Sequence, residues 1–351
     1  MPSVDVVIPN YQYAHYLRGC VASILAQDVP DLRVLIIDNA STDNSVEVAQ
    51  ELVRADSRVQ LVTHARNIGP HASFNEGLDW AEADYFTIMC VDDLAAPGAF
   101  ARSIAVMERW PDVGLAHGTA LRIHGEAPFT GTVPVAGPAG WRIENGRAAL
   151  RRYFRNGFMP MLCCTTLHRT QVHKRAGYYR ASVPHTDDFE LWLRVAALAD
   201  IASTDAIHGI IRFHRNALSS FVCEDVAQDF YLYEEAFASF FGHEGAALPD
   251  AGPLRRMAAR GLAARAYWSG LSHRARGRRN QAKALLGYVR QRQPAMLLAP
   301  PLDYLLLREG ALSRLGSGLK ELGRRLVTLP ALAAPGIGVP QPGSGGDAPA
   351  P

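Results

Sequence analysis

Apolar and polar positions follow two periods along the first part of the chain. "VDVVIP" (residues 4–9), "RVLIID" (33–38), "VQLVT" (59–63) and "YFTIM" (85–89) are short, rich in β-branched residues and bounded by turn residues, as strands buried on both faces should be. Between them, "AHYLRGCVASILAQ", "TDNSVEVAQELVRA" and "PHASFNEGLDWAEA" carry apolar residues at helical spacing. A βαβα order predicts an α/β fold with an open, mostly parallel sheet, whose ligands bind in the crevice beyond the carboxyl ends of the strands. That rule selects Pro9 to Tyr11 after the first strand, Asp38 and Asn39 after the second, Arg66 to Gly69 after the third, and Asp92 and Asp93 after the fourth. Residues distant in sequence are thereby expected to converge.

Each candidate also has a plainer reading. Asp38 can be a turn residue, with Ser41 or Thr42 as an ordinary helix N-cap and Asp43 complementing the helix dipole. "RNIG" can be a turn built on Gly69, and Asp92 with Asp93 a solvated corner before a helix that starts near Pro97. What argues for a site is the set taken together: four strand ends in this half between them present carboxylates, an arginine and a glycine turn. No G-x-G-x-x-G follows the first strand, which disfavours a dinucleotide fold, and no G-x-x-x-x-G-K-[ST] is present for a P-loop.

Composition and charge refine this picture. At 351 residues and 48% hydrophobic content the chain can bury a sizeable core. Its five cysteines include no C-x-x-C, and Cys20 and Cys90 lie in apolar segments, so a reducing, cytoplasmic setting is expected. "MPSVDVVIPNY" has neither the basic nor the long apolar region of a signal peptide. No apolar run reaches membrane-spanning length; the nearest, "PAMLLAPPLDYLLL", is broken by Pro300, Pro301 and Asp303. The overall charge of +2 conceals an asymmetry: residues 1–253 hold 20 Lys/Arg against 30 Asp/Glu, whereas 254–292 hold 11 Lys/Arg and no acid. The composition predicts a catalytic domain over 1–242, a Gly/Pro-containing linker at 243–253, a basic helical region over 254–330 and a disordered tail at 331–351.

"VVIPNYQYAHYLRGCVASILAQD", "LIIDNASTDNSVEVAQEL", "RNIGPHASFNEGLDWAEADYFTIMCVDDLAAPGAF" and "HTDDFELWLRVA" followed by "IIRFHRNALS" resemble, in order, the motifs of family-2 inverting glycosyltransferases of the GT-A fold. The resemblance covers roughly residues 3–222. It implies a nucleotide-sugar donor, a divalent metal (Mn²⁺ or Mg²⁺) and a hydroxyl acceptor, either a glycan or a lipid-linked oligosaccharide. By the same resemblance Pro9 and Tyr11 line the nucleotide pocket, Asp38 accepts from the base, Asp92 and Asp93 form the metal and ribose-diphosphate corner, and His214 returns an imidazole to the metal. Many members read D-x-D-D where this chain has Cys90-Val91-Asp92-Asp93, so the first carboxylate is missing.

The chemistry agrees with that expectation. A departing nucleoside diphosphate gains negative charge, which a hard cation on its phosphates stabilises, and such a cation takes only one or two protein carboxylates beside phosphate and water. Side chains alternate along extended backbone, so Asp93 is assigned to the metal and Asp92 to ribose or a metal-bound water. Without the motif, His214 would read as a surface histidine. Inversion also needs a base for the acceptor hydroxyl. In "HTDDFELWLRVAALA", Asp187 with Glu190 fits a capping pattern, and Glu190 with Arg194 an i,i+4 pair. Asp188 lacks such a role and matches the family's catalytic carboxylate. Trp192, on the same helical face, is either a surface for the acceptor sugar or core, and Asp187 lies on the acceptor side.

Arg66 suits a diphosphate contact, with a surface charge as its alternative. The Gly- and Pro-rich stretch 122–162 is the expected acceptor-side loop region, and His168, His173, His185 and the Cys163-Cys164 pair show no metal-ligand spacing. The basic segment 254–292, with Leu254, Met257, Leu262 and Leu271 between its cations, reads as an amphipathic surface for an anionic membrane or as a helical hairpin packed on the catalytic domain. It has no recognised nucleic-acid fold and few stacking aromatics, so nucleic acid is disfavoured as a partner. A nucleotidyltransferase would need a Gly-rich basic loop where "PNYQYAHY" stands, and a non-catalytic adaptor would have no use for Asp188.

Overall fold

The computed structural model describes residues 1–134, 140–214 and 226–306. The anticipated strands form with small boundary changes as β1 (Ser3–Asn10), β2 (Asp31–Asp38), β3 (Val59–Thr63) and β4 (Tyr85–Ile88), and they pair in parallel in the order β3-β2-β1-β4. Helices α1 (Ala14–Leu25), α2 (Ser45–Ala55) and α3 (Pro70–Trp80) connect them. Val4, Val6, Val7 and Ile8 of β1 are fully buried, because helices cover both faces of the sheet. Gly77 lets α3 rest on β1: a Cβ there would lie 2.5 Å from a Val7 methyl. The buried carboxylate of Asp5 is fully occupied, accepting two bonds of 2.7 Å from Arg33 and one each from the amides of Glu82 and Ala83. That is also why α3 stops short of the predicted "AEA".

Beyond β4 the sheet becomes mixed. β5 (Leu94–Ala95), α4 (Ala99–Arg109), β6 (Val113–His124), β7 (Trp141–Glu144), α5 (Gly146–Asn156), β8 (Thr166–Arg169), α6 (Thr170–Ala176), α7 (Asp187–Leu198) and β9 (Asp200–Phe213) follow, and the sheet continues β4-β8-β6-β9-β5, with β7 on β9. β8 is antiparallel to both of its neighbours, whereas β6 and β9 run parallel through a bulged register. The Gly/Pro-rich stretch 122–162 is therefore only partly loop. Trp141 onward builds β7 and α5, whose N-cap Asn145 accepts from the Arg147 amide, and residues 135–139 of the stretch lie outside the described set.

The compositional boundary at 243–253 is not a boundary in packing. α8 (Gln228–Gly242), a short 3₁₀ turn at Glu244–Ala247, α9 (Ala251–Ala275) and α10 (Arg279–Arg292) continue the same compact unit, Met1–Tyr304. Of the second unit, Leu305–Pro351, only Leu305 and Leu306 are described, so the tail at 331–351 lies outside. α9 crosses α5 closely through Gly261, where a Cβ would lie 2.1 Å from the Phe154 carbonyl oxygen. Leu254 and Leu262 are buried against the protein rather than presented outward, while Met257 and Leu271 are half-buried. The physical reason is that apolar positions alternating with cations serve equally well to pack a helix on its own domain. Arg260 pairs with Asp303 and Arg292 with Glu234, while Arg274, Arg276, Arg278 and Arg279 stay exposed at the α9–α10 turn. Among the described residues no helix is long and apolar enough to cross a membrane.

Candidate active site

The carboxyl ends of β1 and β2 are tied together by hydrogen bonds. Asn10 Nδ2 donates to Asp38 Oδ2 at 2.7 Å, and the Ser41 amide donates to Asp38 Oδ1 at 2.9 Å. Asp43 accepts from the amides of Ala14 and Ser45, while Gln12 reaches Ser41 and Thr42. The N-cap position of α2 is Asn44, without a side-chain cap bond, so neither Ser41 nor Thr42 caps it. Gln12, Ala40 and His185 are the described non-glycine residues with positive φ, and all three lie in loops that border this crevice. Tyr11 is 46% exposed at its rim and Pro9 is half-buried. Arg66 is exposed; the β3–α3 turn around it is held instead by Asn39, which donates to Asn67 and accepts from the Ile68 amide, both at 2.9 Å.

The corner after β4 gathers Cys90, Asp92 and Asp93, whose Sγ and carboxylate oxygens lie within 4.8 Å of one another. Asp93 is only 5% exposed, and its Oδ1 accepts from the Arg212 amide at 2.9 Å. Burial first, then the neighbouring Asp92, pushes its carboxyl up to about 8. Asp92 faces His214, with Nε2 3.0 Å from its Oδ2. The Arg212 guanidinium locks the corner by donating to the carbonyls of Asp92, Gly125 and Ala127.

At the start of α7, Asp188 is raised to about 7, by burial first and then by Asp187. The Phe189 amide donates to its Oδ1, and Cys163 Sγ lies 3.4 Å from its Oδ2. Asp187 does not cap the helix. Thr186 holds that position, and Asp187 lies 3.5 Å from His71 Nε2. Glu190, fully buried, is bonded to Arg180, Arg194 and Ser239, so its pairing with Arg194 is structural as expected. Trp192 is 3% exposed. It packs in the core and offers no surface for a sugar, because one turn into α7 the helix is already covered on this side.

Residues 5–175 match the model for glycosyl transferase family 2. The matched stretch belongs to that family. A curated relative, an uncharacterized glycosyltransferase of Haemophilus influenzae, is 25% identical over 227 residues, 62% of this chain and 68% of the relative. Three other curated glycosyltransferases are 33–35% identical over stretches that make up no more than 38% of their own length. In fold, the chain is similar to residues 1–349 of Staphylococcus aureus TarS, solved in complex with UDP-GlcNAc (15% identity, TM-score 0.52, covering 83% of this chain and 92% of that piece). It is also similar to the mannosyltransferase PcManGT of Pyrobaculum calidifontis, solved with GDP-Man and Mn²⁺ (17% identity, TM-score 0.51, covering 81% and 85%). These are GT-A glycosyltransferases, and this chain has the GT-A fold.

Two features of this site escape sequence reasoning. The 3₁₀ turn Cys163–Thr165 lies between the two acidic corners: Cys164 is hydrogen-bonded to Asp93, and Cys163 contacts both Cys90 and Asp188. Only the rarity of adjacent cysteines marked it. Arg212 is the other, and its signal was a cation inside the apolar run "IIRF". His168 and His173 read as core, since burial holds His168 down to about 3 and His173 well below its usual range, with their rings 4.7 Å apart, whereas His185 is exposed.

Proposed function

We propose that the protein transfers a sugar with inversion from a nucleoside-diphosphate sugar to a hydroxyl acceptor on a glycan or lipid-linked oligosaccharide. The observation that supports this reading is the Cys163–Cys164 turn, which contacts both the buried Asp188 and the Cys90/Asp92/Asp93 corner. The donor set fits a divalent metal: Asp93 is held by one backbone amide, and Asp92 and His214 flank it. When bound, Mn²⁺ or Mg²⁺ would supply positive charge to the leaving diphosphate.

In this reading Asp93 and His214 hold the metal and Asp92 the ribose or a metal-bound water. Pro9, Tyr11 and Asp38 form the nucleotide side, with Asp38 also bracing the loop, and exposed Arg66 reaches the diphosphate. Asp188 takes the acceptor proton as the sugar–oxygen bond forms on the opposite face from the leaving group, with no nucleophile partner required. A value near neutrality suits that task, because the carboxylate is ionised at working pH yet basic enough to accept. Asp187, steered by His71, lies at the acceptor side.

The test is a donor panel. Purified protein with each common sugar nucleotide and Mn²⁺ should release nucleoside diphosphate slowly from one of them, and NMR of a transfer product should show the inverted anomer. Absence of hydrolysis across the panel, or a retained anomer, overturns the proposal. The four exposed arginines at the α9–α10 turn support peripheral attachment to an anionic leaflet by charge alone. The full chain should then sediment with anionic liposomes at low salt and release at high salt; indifference to anionic lipid removes the membrane.

A further inference from the structure

Cys90 stands where many members of the family have a carboxylate, and its thiol is exposed at the end of β4. We propose that Cys90 is a ligand of the metal and turns this site toward borderline, thiophilic ions (Zn²⁺, Co²⁺ or Cd²⁺) in preference to Mg²⁺. The inference rests on the reading of Asp92 and Asp93 as the metal corner.

Geometry supports it. The Cys90 sulfur and the two carboxylates already lie within 4.8 Å of one another, and donor atoms sharing one tetrahedral ion sit about 3.5 Å apart, so rotamer adjustments alone would close the set. A second observation points to the same place. The His214 side chain is 2% exposed and reaches into the cluster, with Nε2 3.0 Å from Asp92 Oδ2, while its Nδ1 finds no partner among the described residues. Nε2 is the ring nitrogen on the cluster's side, so an ion seated against Asp92 meets an imidazole donor beside the two carboxylates and the thiol. Ligand type then decides which ion. Oxygen-only corners suit Mg²⁺ and Mn²⁺, whereas one sulfur beside imidazole and carboxylate shifts the balance to Zn²⁺, Co²⁺ and Cd²⁺. The competing role for the thiol is its hydrogen bond with Cys163, which would leave Cys90 a structural neighbour of the site.

The experiment uses the full chain, stripped with a chelator and titrated with Co²⁺. Wild type should develop the near-ultraviolet sulfur-to-cobalt charge-transfer absorption. Cys90→Ser should lose that band while binding Co²⁺ about tenfold or more weakly. Cys90→Asp should lose the band too, and in calorimetry shift the Cd²⁺ to Mn²⁺ affinity ratio toward Mn²⁺ by about tenfold or more. Cys163→Ser should keep the band, and circular dichroism of each variant checks its fold. A wild-type titration without the band, a band that survives Cys90→Ser, or the same metal preference in all variants overturns the inference. The two proposals fail separately: an active transferase without the band loses only this one, and a band without turnover of any sugar nucleotide loses only the functional reading.

Discussion

Asp92–Asp93 and Asp187–Asp188 are both adjacent carboxylates, each following an extended or loop segment, yet they are held by different means. At the β4 corner the backbone amide of Arg212 and the imidazole of His214 grip the acids, and Arg212 spends its guanidinium on carbonyls rather than on them. The corner therefore gathers two carboxylates with no guanidinium on either among the described residues, and burial beside Asp92 holds the Asp93 carboxyl up to about 8. At the head of α7, Asp188 meets an amide and a thiol, with only Asp187 reaching a histidine. Two residues further on, Glu190 is sealed between Arg180 and Arg194. Three kinds of buried acid thus sit within one crevice and the helix behind it. The one given guanidinium groups holds structure, and those without one are the acids proposed above for the chemistry.

The comparison can be broken first at the metal corner. Asp93→Ala should abolish Mn²⁺-dependent binding of nucleoside diphosphate, since among the described residues Asp93 is the buried carboxylate of that corner; unchanged affinity by calorimetry would sink the assignment. Next, Asp188→Asn should leave donor binding near wild type and lower turnover about 10²- to 10⁴-fold. A variant that turns over normally, or loses donor, moves the base elsewhere. In wild type, turnover should fall as pH drops below about 7, because Asp188 is then protonated.

Stability separates the acids further. Glu190→Gln should cost about 3 kcal/mol in denaturant unfolding, because it leaves the buried Arg194 guanidinium without its carboxylate, whereas Arg180 keeps Glu244. Donor affinity of the folded protein should stay intact, and a loss of under about 0.5 kcal/mol would place Glu190 outside the structural class. The smallest effect concerns Asp188 and has the opposite sign. Its folded value lies above the unfolded one, so the stability it contributes is fully present below about pH 4 and is lost as pH rises through about 7. Asp188→Asn should match wild type near pH 4 and become progressively more stable than it, by about 1 to 3 kcal/mol or more, by pH 8. A constant difference across that range would show that the carboxyl is not held protonated by burial.

The β-branched runs and helical spacings were sufficient to place β1 to β4 and their helices within a few residues, because strands buried on both faces leave little choice of residue. They also marked the carboxyl ends where Asp38, Asp92 and Asp93 emerge. Glu190 and Arg194 were legible as a pair because their spacing is local. The antiparallel strands β8 and β9 were not, since their pairing depends on partners distant in sequence and a bulged register. Trp192 could not be sorted between core and surface, because helical spacing names a face without saying what covers it. The basic stretch 254–292 read as a separate region by charge, yet α9 lies on α5 through Gly261, a contact that composition cannot encode. Local pattern determined which elements form and which acids end them. Only the tertiary structure decided which of those acids receive a guanidinium, and that the Cys163–Cys164 turn joins the two corners, because both depend on contacts between segments that no sequence period relates.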